Sequence, residues 1–261
     1  MDRAEQWTAQ AGFNNSVVCY PDLPTCIRWT AWMNENDPDR TVRNQEYMGL
    51  YHQQQLQDHC PVGRVDQIYR DTVFCIEEFQ AKYGRQVPPM YRQENRDGVC
   101  AHIQKLHRNL ERDTPSLKKV LLQVGDSLQC IHDRNVAHGD IKAENVMIAE
   151  DSTPKLIDFG LAQSIRPDIP QLIINDWWQF LIMCVTLNGH LDTFEDTYSE
   201  KLATPTEQEF TDLRIAVPPL IWETPLMNSL WATAVEGMPV DWSRWWGDQI
   251  RPQLEATMLL P

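Results

Sequence analysis

The run His138-Gly139-Asp140-Ile141-Lys142-Ala143-Glu144-Asn145 is followed, thirteen residues after its final Asn, by Asp158-Phe159-Gly160. Between them lie two short apolar runs, Val146-Met147-Ile148 and Lys155-Leu156-Ile157, separated by Ala149 to Pro154. That spacing predicts a small hairpin. The two polar motifs are then the halves of one site, and Asp158 leaves a strand end, where a ligand-holding carboxylate can be kept rigid.

Upstream, apolar residues recur at helical spacing through Leu117, Val120, Leu121, Val124, Leu128 and Ile131, so a helix from about Ser116 to His132 delivers the chain into the first motif. From about Gln93 onward the character is helical. The first eighty or so residues read differently. Ser16-Val17-Val18-Cys19-Tyr20 and Thr25-Cys26-Ile27-Arg28-Trp29-Thr30 are β-branched and aromatic runs around the turn-forming Pro21-Asp22-Leu23-Pro24, which predicts a hairpin. A helical pattern follows from Thr41 to Gln57, with Tyr47, Leu50, Tyr51 and Leu56 as its apolar positions. Val62 to Tyr69 and Thr72 to Ile76 then alternate well enough for two more strands.

Composition narrows the partners. A formal charge of −14 argues against nucleic acid or an anionic membrane as the main partner, because both are bound chiefly by Lys and Arg. From Leu191 to Pro261 there are 12 Asp and Glu against 4 Lys and Arg, either a solvated surface or a docking face for a basic partner. No apolar stretch near Met1 reads as an export signal or a membrane span. The 7 cysteines, odd in number and without a Cys-x-x-Cys pair, predict reduced structural thiols in an intracellular protein.

His-x-Asp-x-Lys-x-x-Asn followed at this distance by Asp-Phe-Gly resembles the eukaryotic-type protein kinases. The resemblance implies an α+β, bilobal fold: a small antiparallel-sheet N-lobe with one helix over residues 1–79, and a mainly helical C-lobe over 80–261 with catalytic loop 138–145 and Asp-Phe-Gly at 158–160. It implies ATP and Mg²⁺ as cofactors and assigns roles by position. Asp140 orients the substrate hydroxyl and accepts its proton, Lys142 neutralises charge on the γ-phosphate, and Asn145 and Asp158 hold Mg²⁺. Lys142, two residues after Asp140, favours the Ser/Thr pattern. Cys75 to Phe79 resembles the strand and hinge that grip adenine, with backbone groups at Glu77, Glu78 and Phe79 as the contacts. Gly12 and Val17 fall where the end of a glycine-rich phosphate loop would be, with Asn15 in place of one glycine.

The departures from the family are specific. No lysine precedes Lys82, so the usual phosphate-binding lysine of the N-lobe is absent, and Arg28 stands at its position in Thr25-Cys26-Ile27-Arg28. Counting back from His59 and Pro61 places Glu46 about one helical turn too early to partner it, so the Lys–Glu pair is expected to be missing as a unit. Gly139 replaces the arginine that commonly grips a phosphorylated activation loop. Asp176-Trp177-Trp178 resembles the opening of the large central helix, only eighteen residues after Asp158, so the activation segment is short, with Ser164 as its one hydroxyl residue from Gly160 to Asn175. Activation-loop phosphorylation is therefore expected to be absent. Comparable trimming occurs in kinases of viruses and injected bacterial effectors, which act in a host cell. Three readings stand: a protein Ser/Thr kinase, a pseudokinase that binds or regulates a partner protein, and a small-molecule phosphotransferase. Trp242, Trp245 and Trp246 at i, i+3 and i+4 read as a core stripe, and the scattered histidines receive no role.

Overall fold

A computed structural model describes residues 8–11, 15–30, 41–88, 98–106, 108–166, 171–187, 206–216, 225–236 and 240–256. The chain forms two units, residues 1–57 with 63–106, and residues 58–62 with 107–261. The division thus falls after Leu106 and not at 79.

The first unit is built on one antiparallel sheet of order β1-β2-β3-β5-β4. Its strands are β1 (Thr8–Ala11), β2 (Asn15–Cys19), β3 (Thr25–Thr30), β4 (Val65–Tyr69) and β5 (Cys100–Gln104). The hairpin at Pro21–Pro24 forms as expected, with Val18 opposite Ile27 and Cys19 opposite Cys26. Helix α1 (Thr41–Leu56) matches its expected span. It is bound to the sheet through glutamines: Gln53 Nε2 donates to the Gly63 carbonyl at 2.7 Å, and Gln57 Oε1 accepts from the Val65 amide at 2.7 Å.

Two expectations fail here. Thr72 to Ile76 is not a strand but the start of helix α2, Thr72–Tyr83. The buried residues Thr72, Cys75, Ile76 and Phe79 follow i, i+3, i+4, i+7, a helical face rather than a strand alternation. Asp71 caps its start by accepting from the Phe74 amide, and Gly84 closes its end in a left-handed conformation. Glu77, Glu78 and Phe79 are therefore helical residues and not an adenine-gripping edge. Phe79 is wholly buried and Glu78 accepts a hydrogen bond from the Tyr69 hydroxyl at 2.5 Å. The strand that completes the sheet is β5, where helical character was expected, and it lies between β3 and β4.

The second correction concerns sulfur. Six cysteines form the disulfides Cys19–Cys26, Cys60–Cys130 and Cys75–Cys100, so the expectation of reduced structural thiols is overturned. Cys19 and Cys26 are ladder partners on β2 and β3, and Cys75–Cys100 fastens α2 to β5. Sequence spacing carries no sign of either, because both pairings depend on three-dimensional neighbours. Each closes a loop of the unfolded chain and is worth roughly 2–4 kcal/mol, a large share of a typical stability of about 5–15 kcal/mol. Cys184 lies outside these pairs in the core, where burial pushes its thiol pKa up.

The second unit holds β6 (Arg108–Asn109), α3 (Leu117–His132), β7 (Val136–Ala137), β8 (Val146–Ile148), β9 (Pro154–Leu156), β10 (Gln163–Ser164) and α4 (Gln171–Leu187). Helices follow at Glu207–Ala216 and Pro225–Ala234. The segment carrying the tryptophan stripe is helical in three continuous pieces, Trp242–Arg244, a π-helical turn Trp245–Ile250, and Arg251–Ala256. The β8–β9 hairpin forms as read. Helix α4 begins at Gln171, five residues before Asp176. The tryptophan stripe enters the core, with Trp245 and Trp246 buried and their rings 5.0 Å from that of Trp177. Trp246 passes directly over Gly125, where a Cβ would fall 2.0 Å from the indole, so only glycine fits beneath it.

Candidate functional site

The second unit assembles the two polar motifs around one buried carboxylate. Asp176 on α4 has no solvent exposure. Its Oδ2 accepts from the His138 amide at 2.7 Å, and its Oδ1 accepts from the Gly139 amide at 2.7 Å. His132, the last residue of α3, places Nε2 2.8 Å from the same Oδ2. One turn further along α4, Gln179 Oε1 accepts from the Ile141 amide at 2.8 Å and its Nε2 donates to the Gly139 carbonyl at 3.2 Å. A buried carboxyl group needs hydrogen-bond partners for both of its oxygens, and these contacts supply them. They also fix the backbone of residues 138–141 from beneath.

That backbone orients Asp140, Lys142 and Asn145. Asn145 Nδ2 donates both to the Asp140 carbonyl at 2.8 Å and to Asp140 Oδ2 at 2.7 Å. Lys142 Nζ lies 3.0 Å from the same Oδ2. Partial burial of Lys142 acts to lower its pKa, but the hydrogen bond to Asp140 and the charges of Asp140, Glu144 and Asp158 together hold it above the ordinary lysine value. It stays an ammonium at any physiological pH. With its Nδ2 committed to Asp140, the Asn145 side chain has Oδ1 as its remaining donor atom for a hard cation.

Asp158 joins this group through the backbone. The Ile157 amide donates to the Asn145 carbonyl at 3.0 Å, and the Ile157 carbonyl accepts from His138 Nε2 at 2.9 Å. Because Nε2 donates there, Nδ1 is left as acceptor, and it faces the Asp140 amide at 3.3 Å. His138 is thus held as the neutral Nε2–H tautomer, a strut linking the two motifs. Its ring packs 4.5 Å from that of Phe159. Asp158 itself takes φ 61°, ψ 66°, a left-handed conformation uncommon for a non-glycine residue.

Gly139 is required where it stands. Its φ is +82°, and a Cβ would lie 2.7 Å from the backbone oxygen of Leu161. The chain after Asp-Phe-Gly turns through Phe159–Leu161 and pairs β10 against β7, Gln163 opposite Ala137 and Ser164 opposite Val136. The Ile165 amide then donates to the Asn135 carbonyl at 2.8 Å. This close return of the segment occupies the space that any side chain at 139 would need.

In the first unit, Arg28 and Glu46 form an ion pair, Nη2 to Oε2 at 2.9 Å, each residue 9% exposed. This corrects the expectation that no such pair exists. The count back from His59 fails because residues 57–64 form an irregular stretch before β4 begins at Val65, so the helix lies further from the strand in sequence than assumed. Val17 is on β2 opposite Arg28, half-buried; Gly12 falls outside the described residues.

Sequence reasoning missed Gln179 and the role of Asp176. Their signal was present: in the otherwise apolar helix Leu172 to Val185, the polar residues Asn175, Asp176 and Gln179 must be buried and therefore must have partners.

Comparison with known proteins agrees with this geometry. The protein kinase domain family matches residues 94–186, from just before β5 to the end of α4. Serine/threonine-protein kinase PDK1 of Cryptococcus neoformans is 38% identical over 80 residues, 31% of this chain and 6% of that protein. Serine/threonine-protein kinase pkn2 of Myxococcus xanthus is 31% identical over 88 residues, 31% of this chain and 11% of that protein. Tyrosine-protein kinase Srms of mouse is 36% identical over 55 residues, 21% of this chain and 11% of that protein. The matched segments thus span about a tenth or less of these relatives' lengths.

Proposed function

For this protein-kinase-like chain with its α+β fold, we propose phosphoryl transfer from ATP to Ser or Thr hydroxyls of a protein substrate. The observation that carries the proposal is the Asp140, Lys142 and Asn145 cluster, in which the Lys142 ammonium and the Asn145 side-chain amide N–H both lie within hydrogen-bond distance of one carboxylate oxygen of Asp140. Phosphoryl transfer asks a protein mainly for alignment and charge neutralisation. Asp140 is the group that orients the acceptor hydroxyl and takes its proton, Lys142 neutralises the transferred phosphoryl group, and Asn145 holds Asp140 in place.

Asn145 and Asp158 are the residues that would hold Mg²⁺, which when bound neutralises charge on the phosphates. Among the described residues no cluster of three or more His, Cys, Asp or Glu could hold a metal. Mg²⁺ characteristically takes one or two carboxylates and completes its shell with nucleotide phosphates and water. Arg28, secured by Glu46, is the candidate for the phosphate-binding cation, since a guanidinium keeps its charge and can fork onto two oxygens. The alternative of a partner-binding pseudokinase rested on the missing lysine and its missing glutamate; the buried Arg28–Glu46 pair removes the second ground, and the first stands.

Purified chain with Mg²⁺-ATP should phosphorylate itself or a generic basic protein, with phosphate recovered on Ser or Thr. Asp140→Asn should abolish the signal, and incorporation persisting in that variant would refute the assignment.

A further inference from the structure

The three disulfides differ in what surrounds their sulfurs. Cys75 and Cys100 are both fully buried. Cys19 and Cys26 are held by the β2–β3 ladder on either side. Cys60–Cys130 instead joins α3 to the irregular stretch between α1 and β4. Cys130 lines an open groove of about 560 Å³ with Asp126, Gln129, Asp133, Arg244 and Trp246. Arg134 Nη1 lies 3.4 Å from Cys130 Sγ, and a guanidinium at that distance favours a thiolate over a thiol. This bond therefore has one sulfur, that of Cys130, within reach of an incoming thiol, and a cation beside it to stabilise the thiolate that Cys130 becomes when the mixed disulfide resolves.

The segment so fastened bears on Asp158. The Pro61 carbonyl accepts from the Leu156 amide at 3.2 Å, and Val62 bridges Leu156 as a parallel partner. Leu156 ends β9, two residues before Asp158. Residues 58–62 are thus the backing of the strand that presents this carboxylate, and Cys60–Cys130 is the covalent part of their attachment.

We propose that Cys60–Cys130 is a thiol–disulfide exchange site, opened by a dithiol reductant, whose state sets how firmly β9 and Asp158 are held. The dithiol's thiolate attacks Cys130 Sγ, the Cys60–Cys130 bond breaks, and Cys60 leaves as a thiolate and takes a proton. The second thiol of the reductant, deprotonated, attacks its own sulfur in the mixed disulfide and releases Cys130 as a thiolate beside Arg134. Two electrons pass to the protein, the reductant leaves as a cyclic disulfide, one of its two protons ends on Cys60, and the other passes to solvent while Cys130 stays a thiolate beside Arg134. The effect on catalysis rests on the proposed phosphoryl transfer; the exchange chemistry does not.

The test titrates the full chain, purified without reductant, with dithiothreitol, and follows alkylation of each cysteine by mass spectrometry together with hydrogen exchange at Leu156. Cys60 and Cys130 should become alkylated at roughly tenfold lower dithiol than Cys75 and Cys100. Exchange of the Leu156 amide should rise about tenfold or more as that bond opens. The double variant Cys60→Ser, Cys130→Ser should show the faster exchange with no reductant present. Cys60 and Cys130 already free before reduction, opening no earlier than the other pairs, or unchanged Leu156 protection would overturn the proposal. Phosphate transfer measured alongside should fall severalfold on opening and return on reoxidation, and equal transfer by both forms would overturn the control of catalysis. If neither form transfers phosphate, the proposed function fails, while alkylation and exchange still decide the exchange site.

Discussion

Arg28 on β3 and Glu46 on α1 meet at 2.9 Å in a setting where each is 9% exposed, so the sheet and helix α1 of the first unit are joined by a buried ion pair. Removing one partner of such a pair leaves the other charge poorly compensated and costs about 3–5 kcal/mol. Glu46→Ala should therefore lower the melting temperature by roughly 10 °C, at about 2–4 °C per kcal/mol for a chain of this size. Arg28→Lys keeps the charge but loses the fork, so it should destabilise less than Arg28→Ala. Arg28→Ala should also weaken Mg²⁺-ATP binding by about tenfold, the order expected for a lost phosphate contact of 1.4 kcal/mol or more. Calorimetric melting and equilibrium nucleotide titration measure the two effects, and an unchanged dissociation constant would show that Arg28 serves structure alone.

Gly139 makes a second prediction. A left-handed φ costs a non-glycine residue about 1–2 kcal/mol, and the 2.7 Å approach of the Leu161 oxygen adds a backbone clash that no rotamer relieves. Gly139→Ala should destabilise the chain and displace β10 from β7. Gly139→Arg, which writes the family's usual residue back into the loop, should be at least as harmful, and it should not create a response to phosphorylation. Melting curves of both variants, with phosphate transfer measured beside them, decide the matter; a neutral Gly139→Arg would mean that the segment moves aside readily.

Asp176 holds the backbone of the loop that carries Asp140, through the His138 and Gly139 amides. In Asp176→Asn, the amide presents an NH₂ to one of two backbone N–H donors, His138 or Gly139, which it must then repel. A displacement of the loop by about 1 Å can cost on the order of 100-fold in rate. Phosphate transfer should fall by about that factor with a smaller loss of Mg²⁺-ATP affinity, because of the groups proposed to hold nucleotide and metal only Asn145 lies on this loop, while Arg28 and Asp158 do not. A rate within about twofold of wild type would show that Gln179 and the β7–β10 pairing hold the loop unaided.

The candidate site in the second unit was legible because it is local in sequence: Asp140, Lys142 and Asn145 sit within six residues, and a short hairpin delivers Asp158. What was misread depended on partners distant in sequence. Thr72 to Ile76 alternates like a strand, yet the Asp71 cap and the burial of Cys75, Ile76 and Phe79 against the sheet select a helix. Cys100–Gln104 has little strand character of its own and is a strand because β3 and β4 flank it. The same applies to the cysteines, whose pairings Cys75–Cys100 and Cys60–Cys130 bridge 25 and 70 residues. Glu46 was discounted by a count that assumed a regular run into β4, which the stretch before Val65 does not provide.

His102 supplies the pH dependence. It is 2% exposed on β5, packed 5.0 Å from the Tyr69 ring and 5.4 Å from Phe79, with Nε2 3.2 Å from the Cys75 carbonyl. Burial pushes its pKa below the ordinary value of 6.5, and the Cys75 carbonyl opposes this only in part. Burial lowers that of His52 as well. As pH falls through 6.5 the unfolded chain takes up these protons while the folded chain does not, so stability is full above that pH and declines below it until the folded pKa values are reached. Melting temperature should therefore be nearly flat from about pH 7 to 8 and fall toward about pH 5. His102→Gln retains a donor for the Cys75 carbonyl and cannot titrate. Its melting temperature should be lower overall yet fall less steeply with acid, and a slope equal to wild type would assign the dependence to His52 or to other groups.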